Sequence, residues 1–189
     1  MNRLAKRVYE LARAQHGVVA YRQLGVLGVG KSLHGRMLRE GEWVRVLPSV
    51  VRMYWAEPTW MLRAWAGLLW AGSTATLSHG SAAVLCGFDV LAEDVELTDG
   101  RNGARAEARW IHVYRRLGTV ETVMLAGLRV TAPARTLVDL APRLEDAELA
   151  RVWRQVLRYR MVSVASVRQV LSRLGQGIAG IARVRQLVE

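Results

Sequence analysis

A single cysteine, Cys86, stands in the 189 residues, so no disulfide can form within the chain and a reducing, cytoplasmic compartment is the expectation. The four histidines, His16, His34, His79 and His112, show none of the close pair spacings that build a zinc site, so no metal and no cofactor is expected. The apolar run 58–72, PTWMLRAWAGLLWAG, falls short of the about 20 residues a membrane span needs and carries Arg63. No secretory signal is expected, because Arg3, Lys6 and Arg7 lead into an amphipathic pattern and not into an apolar core. No internal repeat or long low-complexity linker breaks the chain, which leaves one compact domain or a small module joined to a larger one.

Lysine is also scarce, at Lys6 and Lys31 alone, yet the net charge is +11 and is carried by arginine. Arginine-rich composition accounts for part of that charge but not for its distribution. Residues 1–55 hold ten Lys and Arg against three Asp and Glu, or +7, and the remainder holds 17 against 13, or +4. The front of the chain is therefore the part suited to a polyanion.

Within that front, Gly28 to Tyr54 reads as a short basic helix followed at once by a two-stranded ribbon. On a helix, Ser32, Gly35, Arg36 and Arg39 fall at i, i+3, i+4 and i+7 and form an open polar face, while Leu33 and Met37 point inward. Gly41 suits the end of that helix, Trp43 to Leu47 alternates as a strand, and Pro48-Ser49 turns the chain into Val50 to Tyr54. Arg45 and Arg52 belong to the ribbon. This is the pattern of a winged helix-turn-helix that lays one helix in the DNA major groove, with Leu4, Val8 and Leu11 on the first helix and Tyr21, Arg22 and Gln23 at the start of the second. Lys31 and Ser32 at the recognition helix's start would meet phosphate. The expected DNA-binding set is thus Tyr21, Arg22, Gln23, Lys31, Ser32, Arg36, Arg39, Arg45 and Arg52. His34, on the flank beside Leu33, is expected to pack.

The same stretch matches a phosphate loop, G-x-x-x-x-G-K-S, at Gly25, Gly30, Lys31 and Ser32. That reading requires a buried strand running into the glycines and a parallel sheet around it. Upstream stands Tyr21-Arg22-Gln23-Leu24, a polar helix-like run, with only Val18 to Ala20 as a possible strand.

The rest of the chain predicts a larger α+β domain over 58–189, joined to the 1–55 module near Trp55 to Pro58. Residues 58–72 predict a helix buried on most sides. Ser78 or Ser81 would cap a short helix carrying Ala82, Ala83 and Leu85 inward, and Ser78, His79 and Ser81 read as caps and core hydrogen bonders, not as a catalytic set. From Val95 to Val130 the period changes to two, predicting a small, mostly antiparallel sheet with a loop at 99–103 and a tight turn at Ala126-Gly127. Thr131 to Ala141 predicts a helix with Pro133 in its first turn and an Arg135/Asp139 pair at i, i+4. Helices around Leu149 to Leu157 and after a Ser163 cap follow, then a break at Gly175 to Gly177 and a last helix from about Ile178.

Two of these segments carry a resemblance. LSHGSAAVLCGF, with S-H-x-S-A-A-x-L-x-G at Ser78 to Gly87, and TAPARTLVDLA at Thr131 to Ala141 resemble the AbiEi-family antitoxins of bacterial type IV toxin-antitoxin systems. The basic front and the IHVYR strand fall in the same order as in that family. The resemblance implies an autorepressor whose winged helix binds double-stranded DNA in its own promoter. It further implies that the larger domain serves to neutralise a nucleotidyltransferase toxin without chemistry of its own. Relatives tend to have Gly-Val-Tyr after the first wing strand, where this chain has Ser49-Val50-Val51. Some longer relatives continue past a segment like GIAGIARVRQLVE into a nuclease-like domain, and this sequence is expected to end before one. A regulator with no toxin partner, a nucleotide-binding protein built on Gly25-Gly30-Lys31-Ser32, and a protein-binding scaffold are the competing readings.

Overall fold

Leu4, Val8 and Leu11 recur at helical spacing, and they generate α1 (Arg3–Ala14), in which Val8 and Ala12 are buried. His16 and Gly17 stop it with φ of 54° and 88°. A computed structural model of the chain describes residues 3–99, 108–115, 120–174 and 180–189. The loop expected beyond Asp99 and the break expected at Gly175 to Gly177 lie outside the described residues.

After α1 come β1 (Val18–Ala20), α2 (Tyr21–Val26), α3 (Lys31–Arg39), β2 (Trp43–Leu47) and β3 (Val50–Met53). The three strands form an antiparallel sheet in the order β1-β3-β2. Val18, Val19, Val50 and Val51 are wholly buried, so this sheet is covered on both faces. Part of that cover is α4 (Trp60–Ala71), which packs on all three strands and whose first turn is capped by the Thr59 hydroxyl accepting from the Leu62 amide at 3.2 Å. The Arg22 guanidinium donates to the Leu69 carbonyl, one of the acceptors left open in the last turn of α4. The contacts therefore divide the chain between Ser73 and Thr74, with 108–111 joining the first unit. This corrects the expected boundary near Trp55 to Pro58. The apolar helix that signalled a second core in the sequence closes the first one.

The second unit holds β4 (Thr76–Leu77), α5 (His79–Leu85), β5 (Val95–Asp99), β6 (Ile111–Arg115) from its second residue on, β7 (Thr122–Leu125) and β8 (Leu128–Thr131). It continues with α6 (Pro133–Leu140), α7 (Asp146–Arg158), α8 (Val164–Arg173) and α9 (Ile181–Val188). Its sheet runs β6-β5-β4-β8-β7, with β4 antiparallel to β5 and parallel to β8. Ala126 and Gly127 join β7 to β8 with φ of 49° and 77°, the two positive angles that a type I′ turn requires. The core gathers Leu137, Val152, Val156, Val167 and Val184 from the helices. Ser163 caps α8 reciprocally with Ser166, each side chain bonding the other's amide at 3.0 Å. The architecture is α+β, as the periodicities predict.

Candidate nucleic-acid interface

Gly30 enters α3 in extended conformation (φ −74°, ψ 160°) with no side-chain cap on the helix's first amides. None of the nine residues of α3 is fully buried, and Lys31, Ser32, Arg36 and Arg39 are exposed. Ser32, Arg36 and Arg39 belong with Gly35 to the i, i+3, i+4, i+7 set, and Lys31 stands at the helix start. Arg36 stands 3.9 Å from Glu40, an exposed pair of small energetic weight that leaves its guanidinium accessible. Arg39 lies back over Gly35, whose missing side chain leaves room for it: a Cβ there would come to 3.4 Å from an Nη of Arg39. Arg45 is exposed on β2. Five of the nine expected side chains are thus exposed to solvent.

The remaining four of the expected set are engaged within the protein. Gln23 Oε1 accepts the Ala20 amide at 2.9 Å, and its amide nitrogen donates to Gln15 Oε1 at 2.6 Å, so it closes the start of α2 and not a contact outside. The Tyr21 ring packs edge-on against His34 with centroids 3.7 Å apart, and its hydroxyl is buried. Arg22 is spent on the end of α4. Arg52 donates to the carbonyls of Met53, Tyr54 and Ala56 and so ties down the chain leaving β3. An alternating strand pattern cannot distinguish an arginine that faces solvent from one that folds back on its own exit loop.

His34 packs between Tyr21 and Trp43, and burial with the Arg45 charge holds its pKa below the ordinary value. The hairpin tip is tight. Leu47 pairs with Val50 across Pro48-Ser49, a bulge falls between Arg45 and Leu47, and Ser49 adopts φ 62°. The Ser49 carbonyl accepts the Tyr21 amide at 2.8 Å, which ties the tip to α2. The serine thus takes a left-handed position that glycine adopts without steric cost.

The surroundings of Gly25, Gly30, Lys31 and Ser32 do not match a phosphate loop. The strand before them, β1, pairs antiparallel with β3, and α2 with Gly25 inside it separates β1 from Lys31. No parallel sheet surrounds the loop, so the nucleotide reading is withdrawn.

In the second unit the polar residues of the two resembling segments are internally bonded. Ser78 is fully buried, accepts the Thr98 hydroxyl at 2.7 Å and meets His79 Nδ1 at 2.9 Å; it stands at the start of α5 without capping it. His79 stacks on Tyr114 at 3.9 Å, and burial, then Arg143 and Arg135, bring its pKa down to about 4, so its imidazole is neutral near pH 7. Ser81 Oγ accepts the Glu96 amide at 2.9 Å. Thr131 and Thr136 hydroxyls lie 2.7 Å apart, and Arg135 Nε donates to Asp139 at 2.7 Å with both side chains buried. Burial raises the Asp139 pKa against the opposing pull of Arg135.

Sequence reasoning missed the centre of this network, Glu96. Its buried carboxylate accepts the Gly80 amide at 2.7 Å and the Tyr114 hydroxyl at 2.8 Å, and pairs with Arg143. A Cβ at Gly80 would come within 2.6 Å of Glu96 Oε2, which explains a glycine between His79 and Ser81. The period of β5 gives no signal for it, because Glu96 alternates with Val95 and Leu97 and so reads as solvent-facing, whereas every residue of β5 is buried. Among the described residues no cluster of three or more His, Cys, Asp or Glu could hold a metal ion, and no helix is long and apolar enough to cross a membrane.

These features define a two-unit α+β protein whose first unit presents a basic, solvent-facing helix and whose second is a helix-rich domain around a buried polar network. The profile of the AbiEi antitoxin C-terminal domain matches residues 65–189, and the chain belongs to that family. The crystal structure of the RV2827C protein from Mycobacterium tuberculosis is similar in fold, with a TM-score of 0.58 at 20% identity over 93% of this chain and 73% of that one. No curated protein matches the sequence.

Proposed function

We propose that this antitoxin is a DNA-binding autorepressor: its first unit is a winged helix-turn-helix, α3 enters the major groove of its own promoter, and the second unit counteracts a nucleotidyltransferase toxin without chemistry of its own. The observation that carries the DNA reading is α3 itself, a helix with no fully buried residue and with Lys31, Ser32, Arg36 and Arg39 exposed. Arg45 on β2 adds a backbone contact beside it. The order α1-β1-α2-α3-β2-β3 and the β1-β3-β2 sheet support the winged assignment. The toxin assignment rests on the family, and the absence of chemistry on the internal bonding of Ser78, His79 and Asp139. The setting is cytoplasmic.

The test is a shift assay on the DNA directly upstream of the gene across a salt series. Binding that weakens steeply with salt and exceeds that on random DNA is expected, since phosphate neutralisation releases counterions. Salt-independent or absent binding would overturn the DNA reading, and failure of co-expression to relieve a neighbouring nucleotidyltransferase would overturn the toxin reading.

A further inference from the structure

α1 and α3 form the walls of an apolar groove of about 460 Å³. Leu4 and Val8 line it from α1, and Leu33 and Met37 from α3, with Trp43 and Met53 buried beneath. Along its edge Tyr9, Tyr54 and Trp55 are exposed by 40%, 63% and 38%, and the Tyr9 and Trp55 rings lie 5.5 Å apart. Exposed aromatics around an apolar depression are the anchors that protein interfaces favour.

We propose that this groove docks an acidic amphipathic helix of a partner protein. A depression between two helices accepts a third helix through side chains at i, i+3, i+4 and i+7. The charge of the walls selects the flanks of that helix. Arg36 and Glu42 are the charged residues that line the groove, and around them α1 and α3 carry Arg3, Lys6, Arg7, Arg13, Lys31 and Arg39 against Glu10, with Glu40 at the end of α3, so the surround is net basic. A second copy of the chain would instead bring two +7 modules together, which like charge opposes.

Arg36 lines the groove and also stands on the exposed face of α3. Docking therefore draws on a side chain that DNA would use, and occupant and DNA should weaken each other by the same factor. That coupling, though not the docking, rests on the DNA reading above.

The probe is a synthetic helical peptide with leucine at i, i+3, i+4 and i+7 and glutamate elsewhere, titrated by calorimetry into the full chain without DNA. One control shuffles the same composition to break the stripe, and another replaces glutamate by lysine. We expect one peptide per chain, and at least tenfold weaker binding for both controls. Tyr9→Ala, at an exposed position, should weaken the acidic peptide at least tenfold while melting as the parent does, and Met37→Glu should weaken it at least as much. Equal binding of the shuffled peptide would overturn the proposal, as would unchanged binding by folded Tyr9→Ala. Self-association of the parent that Tyr9→Ala abolishes would overturn it in favour of a second copy as occupant. Docking with no effect on DNA affinity overturns the coupling through Arg36. Failure to bind any DNA overturns the DNA reading and leaves the docking result standing.

Discussion

Gly17 faces Ala56 so closely that a Cβ on the glycine would lie 2.1 Å from the Cβ of Ala56, and its φ of 88° is one that L residues rarely adopt. The end of α1 and the chain leaving β3 meet there without space for a methyl group. Gly17→Ala should therefore destabilise the protein by about 1 to 3 kcal/mol, from strain and overpacking together. A melting temperature within a degree of the parent's would contradict this.

Lys31 and Arg36 should fail differently. Lys31 stands at the uncapped start of α3, where it would hold phosphate, so Lys31→Ala should weaken promoter and random DNA alike and flatten the salt slope by roughly one unit. Arg36→Ala should cost about 1 to 3 kcal/mol on the promoter and much less on random DNA. Equal losses on both DNAs would assign Arg36 to the backbone.

The Arg135–Asp139 pair has little solvent access on either side, so truncating one partner takes a charge-assisted bond from the other. Arg135→Ala and Asp139→Ala should each cost about 1 to 3 kcal/mol, and the double variant should cost less than their sum. Chemical denaturation of the four proteins measures this. Strict additivity would show that the pair does not act as a unit.

Stability should fall on acidification through His79. Its pKa is lowered from 6.5 to about 4 in the folded chain, so folding favours the neutral ring. The contribution is fully present above pH 6.5 and is lost as pH falls toward 4, at up to about 1.4 kcal/mol per pH unit. Asp139 acts with the opposite sign, because a carboxyl held above its usual range gains stability as it protonates. Comparing parent and His79→Gln between pH 7 and pH 4 isolates the histidine. The variant should show the shallower loss, and parallel curves would remove His79 as the cause.

Because α4 packs on β1, β2 and β3, a fragment of residues 1–73 should melt cooperatively where 1–55 does not. Circular dichroism melts of the two decide it, and identical transitions would show that the sheet needs no cover from α4.

Local pattern carried much of this structure. The faces of α1 and α7, the Gly41 terminus of α3, the Ser163 cap and the Ala126-Gly127 turn all follow from spacing or from residues with narrow backbone preferences. What escaped depends on partners distant in sequence. β4 is two residues long, too short for any period, and exists because Thr76 and Leu77 pair with Thr98 and Leu97 on one side and Leu77 with Val130 on the other. The ownership of α4 was equally hidden, since an all-round apolar helix says that it is buried but not beneath what. On the candidate interface the exposed face of α3 was legible, while the engagement of Arg22 by Leu69 and of Arg52 by Ala56 became visible only with the chain folded.

The bond between the Ser49 carbonyl and the Tyr21 amide bears on how such a module could be retargeted. Residues added at Pro48-Ser49 would pull the hairpin tip from the helix it steadies, so grafting a longer loop there should disturb α2. The last turn of α2 and the bend to α3 are different: a side chain built at Gly25, Gly28 or Gly30 meets nothing within 4 Å, although Gly28 at φ 87° still favours glycine. New specificity is better introduced there and on the outward positions of α3, where the scaffold would carry the change without being rebuilt.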